Sequence, residues 1–214
     1  MARGPDDVSR LFALAVERRL PLLLGSLVVA LLLVAGISLA PDPLSALLFA
    51  VTIVLYLGLL VTATVALNHH PRQMVERPGE LATVGNPAPV LIAAGLTLLA
   101  TGLVGDSIGD LRAHRDIAAL ETAYLIIWPL AVGLSWYSAL GSFGVRLKSD
   151  GLHYRRPFGS LFVPWEEIES ATPGRYNTVT LTGRDRTHQL KSATDAAYLA
   201  GVINSAVTAR AAAR

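Results

Sequence analysis

The pattern of hydrophobic and polar residues changes near Gly144. Before that point, four long stretches contain no Asp, Glu, Lys, Arg or His, and they cover residues 20–40, 43–67, 87–105 and 122–144. Each stretch is close to the length of an α-helix that crosses about 30 Å of hydrocarbon. The pattern therefore predicts four transmembrane helices, packed as a bundle over residues 20–144.

From residue 145 onward, hydrophobic residues alternate with polar ones, which is typical of β-strands with one buried face. Val145 and Leu147 would face a core, with basic residues between and after them facing out. The Asp150-Gly151 pair predicts a hairpin turn after this strand. Residues 176–182 alternate in the same way, with threonines outward and Val and Leu inward. We expect five or six short antiparallel strands with local connections.

The last predicted element is a helix that begins at a capping-box-like pair, Ser192 and Asp195. Its apolar residues form a single stripe, at Leu199, Val202, Ile203, Ala206 and Val207. A bent antiparallel sheet covered by this helix buries the apolar faces of both elements. The predicted fold class is a four-helix membrane bundle followed, over residues 145–214, by a small α+β domain.

Composition agrees with a membrane protein and narrows the function classes. The chain is 52% hydrophobic and 16% charged, and its net charge of +2 is too small to indicate a nucleic-acid partner. The absence of cysteine excludes disulfides, thiol catalysis and thiolate metal sites. Arginine and alanine are abundant and lysine is rare, a bias typical of GC-rich bacterial genomes.

Basic residues in the connections predict how the chain is threaded. The segment 1–19 contains four arginines, the connection 68–86 contains Arg72 and Arg77, and ten basic residues follow residue 145. Because basic residues favour the cytoplasmic side, we expect four spans in the inner membrane with both termini in the cytoplasm. The connection 106–121 would then lie outside, as a short surface helix or as a solvated hairpin.

The motifs of the C-terminal segment resemble those of a known family. The step Val163-Pro164-Trp165-Glu166-Glu167-Ile168, preceded by Asp150-Gly151-Leu152, is similar to the short pleckstrin-homology (PH)-like domains of small actinobacterial membrane proteins. The resemblance covers about the last 70 residues. It implies a small PH-like sheet or barrel closed by a C-terminal helix, with one strand missing or merged. It implies the fold more than a function, since many members of this group have no assigned activity.

Trp165 and Ile168 are expected to anchor the core of this domain together with three residues of the closing helix, Leu199, Val202 and Ile203. An alternative is that Trp165 faces a membrane or a partner.

Four basic residues are the candidate binding surface, and they are Arg146, Lys148, Arg155 and Arg156. If they share one exposed face, they would bind anionic lipid headgroups, at about 1 kcal/mol for each charge near the surface, or a protein partner. The alternative is that they serve mainly as a positive-inside signal after the last span.

Two further clusters contain residue types that bind metals or act as acids and bases. His69 and His70, with Glu76 and Glu80 downstream, resemble a zinc ligand set, but we expect an irregular loop exposed to water because Pro71 and Pro78 interrupt it. Three acidic residues, Glu166, Glu167 and Glu169, are expected to form a solvated turn rather than a catalytic pair. The sequence predicts no catalytic residue, no metal and no cofactor.

Small and hydroxyl-bearing residues repeat on two predicted spans, at Ala93, Thr97 and Thr101 and at Ala131, Ser135, Ser138 and Ser142. They predict close helix packing, with a polar path for a solute as the alternative. The hypothesis is therefore a non-enzymatic membrane protein whose cytosolic domain interacts with a membrane or cytosolic protein, or with membrane lipids. The alternative is an accessory subunit of a transporter or channel for a neutral solute, and assembly into homo-oligomers stays open.

Overall fold

The structure is a computed structural model that describes residues 7–112 and 119–212. It divides into two compact units. The helical unit comprises Arg10–Ala66 and Pro87–Leu140, and the sheet unit contains Leu67–Asn86 and Gly141–Arg214. The chain therefore leaves the helical unit, contributes to the sheet unit, returns for two more helices and then completes the sheet unit.

Five helices precede the C-terminal sheet segment. They are α1 (Asp7–Glu17), α2 (Arg19–Leu39), α3 (Asp42–Leu67), α4 (Ala88–Arg112) and α5 (Ala119–Leu140). Four of them, α2 to α5, are long and apolar enough to cross a membrane, which confirms the prediction of four long apolar helices. Helix α4 continues to Arg112, so the first part of the predicted connection 106–121 is helical. Residues 113–118 of that connection lie outside the described residues.

Helix α4 is the central element of the helical unit. Of its most apolar segment 61% is buried, against 6–17% for the corresponding segments of the other three helices. Its small residues permit close approach: a Cβ on Gly102 would lie 3.2 Å from side-chain atoms of Phe49 and Thr52, and one on Gly105 would lie 3.2 Å from Ile37. Thr97 and Thr101 are buried, as expected for a packing stripe.

The sheet unit contains two antiparallel sheets and one helix. The first sheet has five strands in the order β1 to β5, which are β1 (Met74–Arg77), β2 (Glu80–Thr83), β3 (Gly144–Lys148), β4 (Gly151–Arg155) and β5 (Ser160–Pro164). The second has three strands in chain order, which are β6 (Ile168–Pro173), β7 (Thr178–Gly183) and β8 (Thr187–Lys191). Helix α6 (Ala196–Ala212) follows. The six strands after residue 143 confirm the expected five or six.

The prediction of an irregular loop between the second and third apolar helices is wrong for residues 74–83. These residues form a hairpin, and Gly79 has a φ of +75°, in the left-handed region that glycine tolerates. A Pro78-Gly79 pair places proline and glycine where a type II turn prefers them. Strand β2 then pairs with β3, with Leu81 opposite Leu147. The sheet is therefore built from two segments that are separated in the chain by α4 and α5.

One hydrophobic core lies inside the sheet unit. Trp165, Ile168, Leu199 and Ile203 are buried in it, and Val202 packs against it while partly exposed. Val179 and Leu181 are buried whereas the threonines between them are not, which confirms the alternation predicted for β7.

Polar contacts involve the Trp165 ring and both ends of the closing helix. The Trp165 indole N–H donates to the carbonyl of Lys148 at 2.8 Å, and the guanidinium of Arg210 lies 4.3 Å from the centre of the Trp165 ring. At the start of α6, the Tyr198 N–H donates to the carboxylate of Asp195 at 2.9 Å. The predicted capping box is therefore wrong in detail: Asp195 is the N-cap, and the Ser192 hydroxyl accepts instead from the Thr194 N–H.

Strand register defines two ends of the sheet unit. Met74 pairs with Thr83, and Gly144 with Arg155, so these residues lie at one end of the five-stranded sheet. Residues 84–87 lead from this end to α4, and residues 141–143 lead to it from α5. We call it the connected end. The turns at 78–79, 149–150 and 184–186 lie at the opposite, far end.

Candidate functional site

Two of the four predicted binding residues form ion pairs with a neighbouring carboxylate. Arg146 and Lys148 lie on the outer face of β3, and their side-chain nitrogens are 3.6 Å and 3.9 Å from the carboxylate of Glu80. Arg77 lies 3.8 Å from the same carboxylate, whose side chain is only 12% exposed. Register explains the cluster, because Glu80 is directly opposite Lys148 in the sheet. These cations hold the hairpin against β3 rather than forming an open basic patch.

The other two predicted residues lie at the connected end. Arg155 is the last residue of β4 and Arg156 begins the turn to β5, and both are exposed. The guanidinium of Arg156 is 5.0 Å from the centre of the Tyr154 ring, and that of Arg155 is 6.0 Å from the centre of the Phe143 ring. The structure thus separates the predicted cluster into one pair held by Glu80 and one pair exposed at the connected end.

The connected end also carries two aromatic side chains that the sequence analysis did not single out. Phe158, in the β4–β5 turn, is 85% exposed, and Tyr176, in the β6–β7 turn, is 90% exposed. The next most exposed large hydrophobic residues among the described residues, on the apolar helices, reach 69%. Each of these two turns also contains arginine, since Arg156 precedes Phe158 and Arg175 precedes Tyr176.

Contacts with the start of the sheet bring the Tyr176 turn to the connected end. The Asn177 amide donates to the carbonyls of Ser192 and Thr194 at 2.6 Å and 2.9 Å. The loop that contains Ser192 and Thr194 is in turn held by the chain that leads into β1, because the Asp195 N–H donates to the carbonyl of Pro71 at 3.1 Å. The β4–β5 turn and the β6–β7 turn therefore lie at the same end of the unit.

Tyr176 and Asn177 have unusual backbone conformations. Their φ angles are 55° and 54°, in the left-handed region that is rare for a bulky residue such as tyrosine. The Asn177 side chain stabilises this conformation by hydrogen bonds to three backbone groups. Two are the carbonyls of Ser192 and Thr194, and the third is the Ala196 N–H, which donates to the side-chain oxygen at 2.8 Å. The sequence signal that could have found this surface is the repeated arginine–aromatic pairing in two turns.

The predicted zinc ligands are not brought together. The Nδ1 atom of His70 is 3.2 Å from the carbonyl oxygen of Ala193, Glu80 is engaged by the cations described above, and Glu76 is exposed on β1. Within residues 7–112 and 119–212, no group of three or more His, Asp or Glu residues is placed to hold a metal ion. His70 instead helps to dock the chain before β1 onto the loop before α6.

The acidic residues near Trp165 do not form a shared site. Glu166 and Glu167 lie in a 3₁₀ turn and Glu169 on β6, and all three are exposed. A cleft of about 510 Å³ lies between β5 and the β7–β8 turn, and Glu167 is the member of this group that lines it. Asp185 and His188 also line the cleft, whereas Glu166 and Glu169 do not, so the three glutamates are not brought together there.

One carboxyl group at the far end, that of Asp150, has a shifted pKa. The His153 Nε2 atom lies 3.1 Å from both carboxylate oxygens of Asp150. This hydrogen bond is the main cause that lowers the pKa of Asp150 below its ordinary value. The pair is at the solvent-exposed β3–β4 turn, so it stabilises the turn locally.

Hydroxyl groups inside the helical unit are used in packing. The Thr97 hydroxyl donates to the carbonyl of Ala93 at 2.7 Å and accepts from the Trp136 indole N–H at 2.9 Å. The Thr101 hydroxyl donates to the carbonyl of Thr97, and that of Thr52 donates to Leu48. Since these hydroxyls are bonded to helix carbonyls, they do not line a polar path in this arrangement.

Comparison of the chain with models of known protein families, with curated proteins and with solved structures gives no match. The four apolar helices and the geometry of the sheet unit are therefore the features from which a function can be inferred.

Proposed function

We propose that this chain is a non-enzymatic, multi-pass protein of the bacterial inner membrane, whose sheet unit is a PH-like interaction module in the cytoplasm. The module would bind a protein partner or the adjacent membrane surface. The observation that carries the proposal is that a separately cored sheet unit is assembled from chain on both sides of two membrane-length helices. A module connected to a membrane in this way gains effective concentration against everything held at that membrane, so a weak intrinsic affinity suffices.

The outer surfaces of the apolar helices support the assignment to a membrane. Helices α2, α3 and α5 expose long rows of aliphatic side chains, which include Leu31, Leu32, Val54, Val61 and Leu134. A soluble protein rarely exposes a continuous apolar surface of this extent. Hydrocarbon around these helices would remove that surface from water.

The pairing of β2 with β3 supports the predicted topology independently of charge. Segments 67–86 and 141–214 belong to one folded unit, so they must lie on the same side of any membrane that the helices cross. Two crossings, by α4 and α5, satisfy this requirement. The first segment contains Arg72 and Arg77 and the second contains ten lysines and arginines, and the positive-inside rule, which counts these residues, assigns both segments to the cytoplasm.

The strand count supports the resemblance to PH-like domains. The C-terminal segment contains six strands, one fewer than a seven-strand domain, and the hairpin of β1 and β2 raises the number in the unit to eight. Two antiparallel sheets with a C-terminal helix over a common core are the architecture that the resemblance implies. The alternative of an accessory subunit for solute transport has less support, because the hydroxyls of α4 are bonded to helix carbonyls.

The topology is tested with single cysteines in this cysteine-free chain. Pro78→Cys in the β1–β2 turn and Asp185→Cys in the β7–β8 turn should react with a membrane-impermeant maleimide from the cytoplasmic side only. Leu111→Cys, near the end of α4, should react from the opposite side. Reaction of the first two from opposite sides would exclude the two-segment sheet, and reaction of all three from one side would exclude crossing by α4.

The interaction function is tested by affinity purification of the full-length protein from its native membrane, in parallel with residues 1–144. Partners recovered only with the full-length chain would support a docking module. Identical recovery with both would transfer the function to the helical unit and contradict the proposal.

A further inference from the structure

The two aromatic turns of the connected end have the chemistry of a membrane-interface contact. In each turn, an almost fully exposed ring follows arginine: Phe158 after Arg155 and Arg156, and Tyr176 after Arg175. Aromatic rings favour the boundary between lipid headgroups and acyl chains, and basic side chains beside them favour anionic headgroups. We infer that the connected end is a lipid-contact surface, at which both rings enter this boundary and the three arginines bind headgroup phosphates. This inference rests on the proposed membrane location.

The ion pairs of the described residues engage four other basic side chains of the unit. Arg77, Arg146 and Lys148 share Glu80, and Arg72 lies 3.6 Å from Asp195. Those ion pairs include none of Arg155, Arg156 and Arg175. The three arginines that accompany the exposed rings therefore differ from Arg72, Arg77, Arg146 and Lys148, a property that they share with Arg184, Arg186, Lys191 and Arg210; what sets the three apart is their position beside exposed rings in the turns of the connected end.

The backbone at Tyr176 supports a role outside the core. A tyrosine in the left-handed region is strained, and such strain persists only where the surrounding structure enforces it. Here the side chain of Asn177 enforces it, and the result is a ring that points away from the core and is 90% exposed. Core packing does not explain either the strain or the aromatic residue at this position.

The length of the connections keeps this surface within reach of a membrane. Residues 141–143 join α5 to β3, and a connection of this length spans at most about 14 Å. Residues 84–87 join β2 to α4 in a similar way. The headgroup region adds only about 5–7 Å on each side of the hydrocarbon. If α4 and α5 cross the bilayer, the connection 141–143 therefore limits the distance between Gly144, at the connected end, and the end of α5 to about 14 Å.

The experiment measures immersion depth in the full-length protein, reconstituted in vesicles of phosphatidylcholine with phosphatidylglycerol. Spin labels are attached to Phe158→Cys, which retains Tyr176, and to Tyr176→Cys, which retains Phe158. Ser149→Cys, in the exposed far-end turn, is the matched aqueous control. Gly58→Cys, on an open face in the middle of α3, reports hydrocarbon. Collision rates with oxygen, which is concentrated in lipid, and with a water-soluble nickel complex give the depth of each label.

The expected result is an oxygen-to-nickel ratio severalfold higher at positions 158 and 176 than at position 149. If the oxygen-to-nickel ratios at positions 158 and 176 equal that of the aqueous control, while the ratio at position 58 is typical of hydrocarbon, the lipid contact is refuted and the membrane location is retained. An aqueous reading at position 58 would overturn both. Immersion of 158 and 176 in native membranes but not in pure lipid would overturn the lipid contact in favour of a protein partner.

Charge dependence tests the role of the arginines. Replacing Arg155, Arg156 and Arg175 by glutamine should lower the equilibrium constant for contact between the connected end and the lipid surface by about fivefold per arginine, which corresponds to ~1 kcal/mol for each charge. High salt should have a similar effect. The same replacement of Arg77 and Arg146, which are paired with Glu80, is the control and should leave the depth at position 158 unchanged. Equal immersion in phosphatidylcholine alone would overturn the assignment of the arginines to anionic headgroups.

Discussion

Residues 141–214 should not form a stable domain without the hairpin that precedes α4. The perturbation compares two soluble chains: residues 141–214 alone, and residues 67–86 joined to 141–214 by a short Gly-Ser linker. Such a linker is feasible because β2 and β3 are neighbours, and the Thr83 hydroxyl accepts from the Val145 N–H at 3.1 Å. The joined chain restores the full five-stranded sheet, whereas the shorter chain leaves β3 as an unpaired edge.

The contacts of the hairpin set the expected magnitude. Met74 and Leu81 are partly buried against the core, and each contributes about 1 kcal/mol. The buried methyl of Ala82 contributes about 0.8 kcal/mol. Two hydrogen bonds, Val145 to Thr83 and Asp195 to Pro71, contribute about 1 kcal/mol each. The loss of about 5 kcal/mol compares with a total stability of about 5–10 kcal/mol for a unit of this size.

The assay is urea-induced unfolding followed by circular dichroism. The joined chain should unfold in one cooperative transition, and residues 141–214 alone should show no cooperative transition or one at a much lower urea concentration. Within the joined chain, Leu81→Asp should cause a similar loss, while Val75→Asp, on the exposed face of β1, should have little effect. Equal midpoints for the two chains would refute the conclusion that the hairpin is an integral part of the domain.

Three further predictions concern single residues of the joined chain or the full-length protein. Asn177→Ala removes three hydrogen bonds from a left-handed turn and should lower the free energy of unfolding of the sheet unit in urea by about 2–4 kcal/mol. The control, Tyr176→Ala, removes an exposed ring and should change this free energy by less than about 0.5 kcal/mol. Glu80→Gln should lower the unfolding midpoint, and the loss should become smaller at high salt, because the carboxylate is shared by three cations; an unchanged midpoint at low salt would contradict this. NMR titration should find the pKa of Asp150 below its ordinary value in the folded protein, and His153→Ala should move that pKa back towards the ordinary value. Because the folded-state pKa is lowered, the ionised Asp150 carboxylate stabilises the fold slightly at pH values above its unfolded-state pKa. This stabilisation is lost as the pH falls through the folded-state pKa.

The sequence alone determines the elements that depend on local pattern. Charge-free runs of membrane length specify the four long helices, because helix length and side-chain polarity are local properties. Alternation specifies β3 to β8, and the 3–4 spacing of Leu199 and Ile203 specifies the buried face of α6. These predictions needed no knowledge of what each element packs against.

Tertiary structure decides what joins the sheet and which charges stay exposed. The hairpin at 74–83 is too short and too polar to be recognised by pattern, and it is stable as a hairpin because β3, more than 60 residues later, supplies its partner strand. The same pairing puts Glu80 beside Arg146 and Lys148, so residues predicted as a binding surface become internal ion pairs. Non-local pairing is not encoded in the spacing of neighbouring residues, which is why the sequence analysis missed it.

The sequence alone identifies some residues of the candidate lipid surface, and the tertiary structure identifies the others. Arg155 and Arg156 could be chosen from the sequence because basic residues after a span are conspicuous. Phe158 and Tyr176 were not chosen, since an aromatic residue in a short domain is normally assigned to the core, and the arginine beside each ring was their only sequence signal. Their exposure, and their position at one end of the unit, follow from strand register and from the bonds that Asn177 makes to the loop before α6. The sequence thus determines the chemistry of each side chain, and the fold determines whether that side chain is exposed and able to contact a ligand.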